Sequence, residues 1–156
     1  MEQVAYPEML DQDKASEGKR PLAFLDTSVI VEYLRGEPSA VQLFSAEAEG
    51  HIRFAINPIV LQELLLAGNA AGTPEFERIR DHLKVLPIDL AKAEALLPAV
   101  RALRNATAHP NDILMLSSAD ECDFMVTENA SFKNLVSAGG PLVITPKELA
   151  TQLRAA

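Results

Sequence analysis

Between Pro21 and Gly36 the chain reads PLAFLDTSVIVEYLRG. Four apolar residues, Leu22 to Leu25, stop at a carboxylate, Asp26, and two hydroxyls, Thr27 and Ser28. Val29, Ile30, Tyr33 and Leu34 then recur at helical spacing as far as Gly36. A short continuous apolar run bounded in this way predicts a buried strand, and the periodicity after it predicts a helix closed by glycine. The same alternation repeats along the chain. Helices are expected over Pro38–Glu49, Pro58–Ala67, Glu75–Leu83, Leu90 to about Ala106, Pro110 to about Glu121 and from Pro146 onward. Strands are expected over Ile52–Ile56, Lys84–Ile88, Phe124–Thr127 and Leu142–Ile144. Asn57-Pro58, Thr73-Pro74 and Thr145-Pro146-Lys147-Glu148 are helix starts, each with a capping side chain before a proline, and Asp89 is placed to cap the long helix that Pro98 would kink or split. Strands alternating with helices imply a parallel sheet covered on both faces, an α/β fold in three α/β/α layers.

Met1 to Arg20 breaks the pattern. It is polar and charged with no apolar period, so residues 1–20 are expected to form a flexible leader and residues 21–156 a single domain. Among the 156 residues, 48% are hydrophobic, enough for one well-filled core. A formal net charge of -8 means the chain as a whole repels nucleic acid, so such a substrate would need cations or a local basic surface. Arg35, Lys133, Arg101 and Arg104 are the candidates for that surface. Aromatics at 5% without tryptophan argue against base stacking as the main binding mode. The lone cysteine, Cys122, excludes an internal disulfide and a cysteine-based zinc site, reads as a small apolar filler, and suits a reducing compartment. With no uncharged apolar stretch long enough for a membrane span and no signal pattern at the N-terminus, a cytoplasmic location is expected.

The candidate chemistry lies in the acids. Asp26 ends the first strand, at the edge where open α/β sheets bind ligands, although an Asp there can equally cap the helix that follows. Glu63 has Ile59, Val60, Leu66 and Ala67 three and four residues away, which puts it in an apolar stripe. A carboxylate buried there needs a partner, a proton or a metal. Asp112 opens a helix, where it can serve the helix dipole or a site. Together with Thr127 and Asn129 after a later strand, these residues form an all-oxygen set suited to Mg²⁺ or Mn²⁺ and to metal-assisted phosphoryl chemistry. Asp120, Glu121 and Asp123 precede their strand and belong to the opposite edge. Glu47, Glu49, Glu75, Glu77 and Asp81 read as solvated helix faces. Receiver-type and haloacid-dehalogenase-type readings fail, because Asp26 is followed by Thr27 and Ser28 rather than by a second acid.

In order, LDTSVIVEYL, INPIVLQELL, HPNDILMLSSA and FMVTENASF resemble the motifs of the PIN-domain ribonucleases, most closely the VapC-type toxins of toxin–antitoxin pairs. The resemblance spans Pro21 to Leu153. It implies a PIN-like fold and a divalent-metal-dependent endoribonuclease with Asp26, Glu63 and Asp112 as catalytic, metal-holding acids. Ser28, Thr127 and Asn129 would support them, and one or two Mg²⁺ or Mn²⁺ ions would serve as cofactor. It also implies an RNA substrate, a homodimer and a cognate antitoxin, with Arg35 at the RNA or at an interface. Asn129 departs from the family, standing where a further aspartate is usual, so weaker binding of a second ion is expected. A catalytically weak or inactive module that binds RNA or a protein partner is the alternative.

Overall fold

The computed structural model describes residues 20–67, 72–102, 110–136 and 139–155. Five strands form one sheet: β1 (Leu22–Leu25), β2 (Arg53–Ile56), β3 (Leu83–Val85), β4 (Phe124–Val126) and β5 (Leu142–Ile144). Their order is β3-β2-β1-β4-β5, and every neighbouring pair is parallel. Around the sheet lie α1 (Thr27–Leu34), α2 (Pro38–Ala48), α3 (Pro58–Leu66), α4 (Pro74–Arg80), α5 (Leu90–Ala102), α6 (Pro110–Ala119) and α7 (Pro146–Ala155), with a 3₁₀ helix at Ala130–Asn134. The order runs one way from β1 to β3 and the other way from β4 to β5, which distributes helices over both faces and gives the expected α/β/α architecture. No helix among the described residues is long and apolar enough to cross a membrane.

The core is built on β1, whose Ala23, Phe24 and Leu25 are fully buried, as a central parallel strand requires. Val29, Ile30 and Tyr33 of α1 pack over it, and Tyr33 stacks on Phe44 of α2 with ring centroids 4.2 Å apart. Gly36 and Gly50, at φ 78° and 85°, end the first two helices in a left-handed conformation that costs glycine little.

The predicted caps form. Asn57 accepts hydrogen bonds from the Ile59 and Val60 amides, Thr73 from the Phe76 amide, and Asp89 from the Lys92 amide. The Thr145 hydroxyl accepts from the Glu148 amide and donates to the Glu148 carboxylate. Four expectations need correction. α4 stops at Arg80, and β3 covers Leu83–Val85 rather than Lys84–Ile88. Leu83 pairs with Phe54 and Val85 with Ile56, which exhausts the short β2, and Pro87 has no N–H to extend the ladder. Pro98 does not split α5, which continues to Ala102. Glu47 is buried, 9% exposed, with Oε1 3.7 Å from His82 Nδ1 at the amino-terminal edge of the sheet, not on a solvated face. Residues 1–19, Arg104 and His109, and the Arg101 side chain, lie outside the described residues.

Candidate active site

The strand order reverses beside β1, and the crevice at such a switch point opens at the carboxyl ends of the strands. Asp26 stands there. Its amide donates to the Val126 carbonyl, so the sheet ladder itself positions the residue. Although Asp26 occupies the N-cap position of α1, its side chain makes no capping hydrogen bond. It is instead held from both sides by hydroxyls: Thr127 Oγ1 donates to Oδ2 at 2.7 Å and Ser28 Oγ to the same oxygen at 3.3 Å. Thr127 is buried and is fixed by its own amide, which donates to the Ile144 carbonyl of β5. The helix-cap reading of Asp26 is thereby set aside.

Glu63 and Asp112 arrive on α3 and α6. What sets their spacing is Asn57, fully buried at the start of α3. Its Oδ1 caps α3, while its Nδ2 donates to the Leu114 carbonyl and to Ser118 Oγ of α6, both at 3.0 Å. Ser118 Oγ in turn donates to the Pro87 carbonyl after β3 at 2.7 Å. One amide therefore clamps the two helices that carry the second and third acids.

A cleft of about 450 Å³ opens between them, lined by Asp26, Thr27, Glu63, Leu66, Asn111 and Asp112, with Ala67 and Met115 on its apolar side. The three acids singled out in the sequence thus share one cleft. Two residues that sequence reasoning missed hold Glu63: Thr27 Oγ1 donates to Oε1 at 2.6 Å, and Asn111 Nδ2 reaches Oε2 at 3.5 Å. The signal for Thr27 was present, since a second hydroxyl follows Asp26, but nothing local points it at a residue 36 positions away. Glu63 lies at the border of its apolar stripe rather than inside it. Ile59 and Val60 are buried, whereas Leu66 is 78% exposed and forms a lip of the cleft.

The electrostatics are those of crowded like charges. Burial pushes the Asp26 carboxyl above its ordinary value, the Thr127 hydrogen bond opposes that rise, and the nearby charges of Asp112 and Glu63 add to it. Glu32, further along α1, is also raised, by burial and then by Glu128, Glu37 and Asp26. Neither Asp26 nor Glu63 forms an ion pair with a described Lys, Arg or His. Hard oxygen donors and clustered carboxylates fit a hard divalent cation. The donors do not form a closed cage, for among the described residues no three His, Cys, Asp or Glu side chains stand together as a ready-made metal-binding group. That openness suits an ion such as Mg²⁺, which keeps several waters and takes one or two carboxylates.

The remaining candidates are placed differently. Asn129 Oδ1 accepts from the Ser131 amide at 3.1 Å and from Ser131 Oγ at 2.6 Å, capping the 3₁₀ helix, while its amide donates to Thr127 Oγ1. Its side-chain oxygen is turned to local structure rather than to the cleft. Arg35 is exposed at the end of α1. Cys122 is buried, and its thiol is pushed up to about 12, mainly by burial, which fits a filler and not a nucleophile. Asp123 Oδ2 accepts from the Leu22 amide at the opposite edge of the sheet.

Residues 23–136, well over half of the chain, match the family model described as the PIN domain. A comparison with curated protein sequences finds no match. Among solved structures, the chain is similar to VapBC2 from Rickettsia felis bound to a DNA fragment from their promoter. The identity there is 20% and the TM-score 0.55, over 80% of this chain and 98% of that one. It is similar to a toxin–antitoxin complex from Klebsiella pneumoniae at 19% identity and TM-score 0.54, over 81% and 98%. It is also similar to FitAB bound to an IR36 DNA fragment at 19% and 0.53, over 80% and 95%. At such identities the likeness is one of fold.

Proposed function

The chain belongs to the PIN domain family, and from that premise we propose that it is a divalent-metal-dependent endoribonuclease, the toxin of a toxin–antitoxin pair. One observation carries the reading. Three acids from three separate elements line one cleft at the switch point of the sheet, and Asp26 among them is held by hydroxyls.

Asp26, Asp112 and Glu63 would hold Mg²⁺ or Mn²⁺, which when bound supplies charge neutralisation at the phosphate and activation of water. The chain's own residues do the rest. Thr127 and Ser28 fix the Asp26 carboxylate, and Thr27 and Asn111 fix Glu63. Such outer hydrogen bonds orient ligands and keep them deprotonated. Leu66, Ala67 and Met115 give the cleft an apolar wall that limits water on one side. With Asn129 engaged in a cap, a single-ion site is the better fit.

Titrating Mg²⁺ or Mn²⁺ into the purified chain with structured RNAs tests the proposal. Cleavage that requires the ion, leaves 5′-phosphate and 3′-hydroxyl ends and disappears in Asp26→Asn and Asp112→Asn is the expected result. Cleavage that survives both substitutions overturns the site. Asn129 keeps a second reading in play, a module that binds RNA or a protein without cutting; ion binding with no turnover on any RNA would favour it. The likeness to structures of toxin–antitoxin assemblies supports an antitoxin partner for this chain. The proposal further takes the toxin to be a cytoplasmic homodimer, with residues 1–20 as a leader to the domain at 21–156.

A further inference from the structure

An acidic nuclease must hold a polyanion beside carboxylates that repel it. Among the described residues the charged lining of the cleft is acidic: Asp26, Glu63 and Asp112. The same carboxyl edge of the sheet nevertheless continues past Thr127 to β5, where a larger cavity of about 840 Å³ opens along the free side of this edge strand. Its wall is apolar, formed by Pro141, Leu142 and Ile144, with Leu142 55% exposed. Its charged residues are Lys133, Lys147 and Glu148.

Glu148 is engaged in the α7 cap, accepting from the Thr145 hydroxyl at 2.9 Å. Lys133 and Lys147 are both exposed, and neither forms an ion pair among the described residues. Two lysines against the single carboxylate of Glu148 leave this groove with an excess of positive charge in a chain of net charge -8, which favours an anion there. Their placement follows from the elements that build the active site. Thr127 holds Asp26, Asn129 caps the 3₁₀ helix, and that helix presents Lys133 in its last turn. Lys147 opens α7 directly after β5. β5 lies two strands from β1, roughly 10 Å at ordinary strand spacing.

We propose that the groove between β5, the 3₁₀ helix and α7 is a subsite for single-stranded RNA outside the cleavage position. Lys133 and Lys147 contact backbone phosphates there, and the exposed Leu142 packs against a base or ribose. The volume lies within the range of ligand-binding clefts, and the contacts read charge and shape rather than base sequence. The inference rests on the ribonuclease reading and deepens it.

The test uses the full chain carrying Asp26→Asn, so that RNA stays intact, with Mg²⁺ and a single-stranded RNA of about ten nucleotides. Adding Lys133→Gln and Lys147→Gln is expected to weaken binding on the order of tenfold and to flatten the salt dependence by roughly 1.4, the value for two phosphates on a single strand. Lys84→Gln with Lys92→Gln removes the same charge elsewhere and should leave the slope unchanged. Photocrosslinks from 4-thiouridine in the RNA should fall within residues 133–152. Unchanged affinity and slope in the Lys133/Lys147 variant, or crosslinks confined to other segments, overturns the subsite. A groove that holds an acidic peptide instead would give that outcome. Absence of metal-dependent cleavage by the unmodified chain is a separate result and strikes the ribonuclease reading itself.

Discussion

The two edges of the central sheet handle charge in opposite ways. At the amino-terminal edge Arg20, Arg53, Lys84 and His82 share a cavity with Glu47 and Asp81, so both signs are present. Backbone groups take up much of the remainder: Arg53 donates to the Arg20 carbonyl from Nε and Nη2, and Asp123 accepts from the Leu22 amide. At the carboxyl-terminal edge Asp26, Glu63 and Asp112 share a cleft whose charged lining among the described residues is acidic, with Ser28 and Thr127 donating to Asp26 and Thr27 and Asn111 to Glu63. Mixed charge at a strand end serves the fold. Like charge held in place by hydroxyls raises the cost of the metal-free state, and such stored repulsion marks a functional edge.

The sharpest way to break this contrast is Asp26→Asn. Metal-dependent RNA cleavage is expected to fall by about 10²-fold or more, read in a gel assay with excess Mn²⁺. Stability without metal should move the other way. The folded-state pKa of Asp26 is raised, so its contribution to stability is fully present below the ordinary carboxylate value and is lost as pH rises through the folded value. In EDTA, Asp26→Asn should therefore melt above the unmodified chain at pH 7, and the difference should close in acid. A variant that melts lower at pH 7 would show that Asp26 stabilises the fold and that the repulsion is not there.

Thr27→Val comes next. It removes the 2.6 Å hydrogen bond to Glu63, and the expected loss is about 10–100-fold in activity or metal affinity with the melting midpoint nearly intact. A loss confined to stability would place Thr27 with the scaffold. Asn57→Ala separates the roles in the opposite sense. It deletes a cap and leaves bonds to α6 unmade, at a cost of about 2–4 kcal/mol in urea unfolding. Adding Mn²⁺ at one hundred times its dissociation constant should stabilise the unmodified chain by about 2.7 kcal/mol, and Asp26→Asn far less. The smallest effect belongs to the other edge. Glu47→Gln should leave both the Mn²⁺ shift and cleavage unchanged; a lost Mn²⁺ response would erase the distinction between the edges.

Much of this was legible in the chain. The apolar run ending at Asp26, the Asn-Pro and Thr-Pro helix starts and the parallel α/β order all follow from local pattern and cap chemistry, and the structure reproduces them. The three acids were legible as a set, because each interrupts or opens an apolar element. What could not be read was pairing across the chain. Thr27 turns to Glu63 and Asn57 turns to α6 because of how helices sit on the sheet, which no local window encodes. Glu47 looked solvated since its helix neighbours are mixed, yet tertiary packing carries it to the sheet edge beside His82. Asn129 looked like a weakened ligand, whereas a short helix that the sequence did not announce takes up its oxygen.

The strand order β3-β2-β1-β4-β5 has a bearing on when activity can appear during synthesis. The amino-terminal half of the chain can supply β1 with its neighbour β2 and can bring Glu63 close, as these contacts lie within a few dozen residues. The other flank of β1 stays open until Phe124–Val126 emerges, and the closer of the two hydroxyls that hold Asp26 comes from a residue 101 positions later. Non-local pairing of this kind closes late. A chain still attached to the ribosome before that point has the acids but not their alignment, so assembly order would keep the proposed RNA-cutting centre silent until nearly the whole domain has been made.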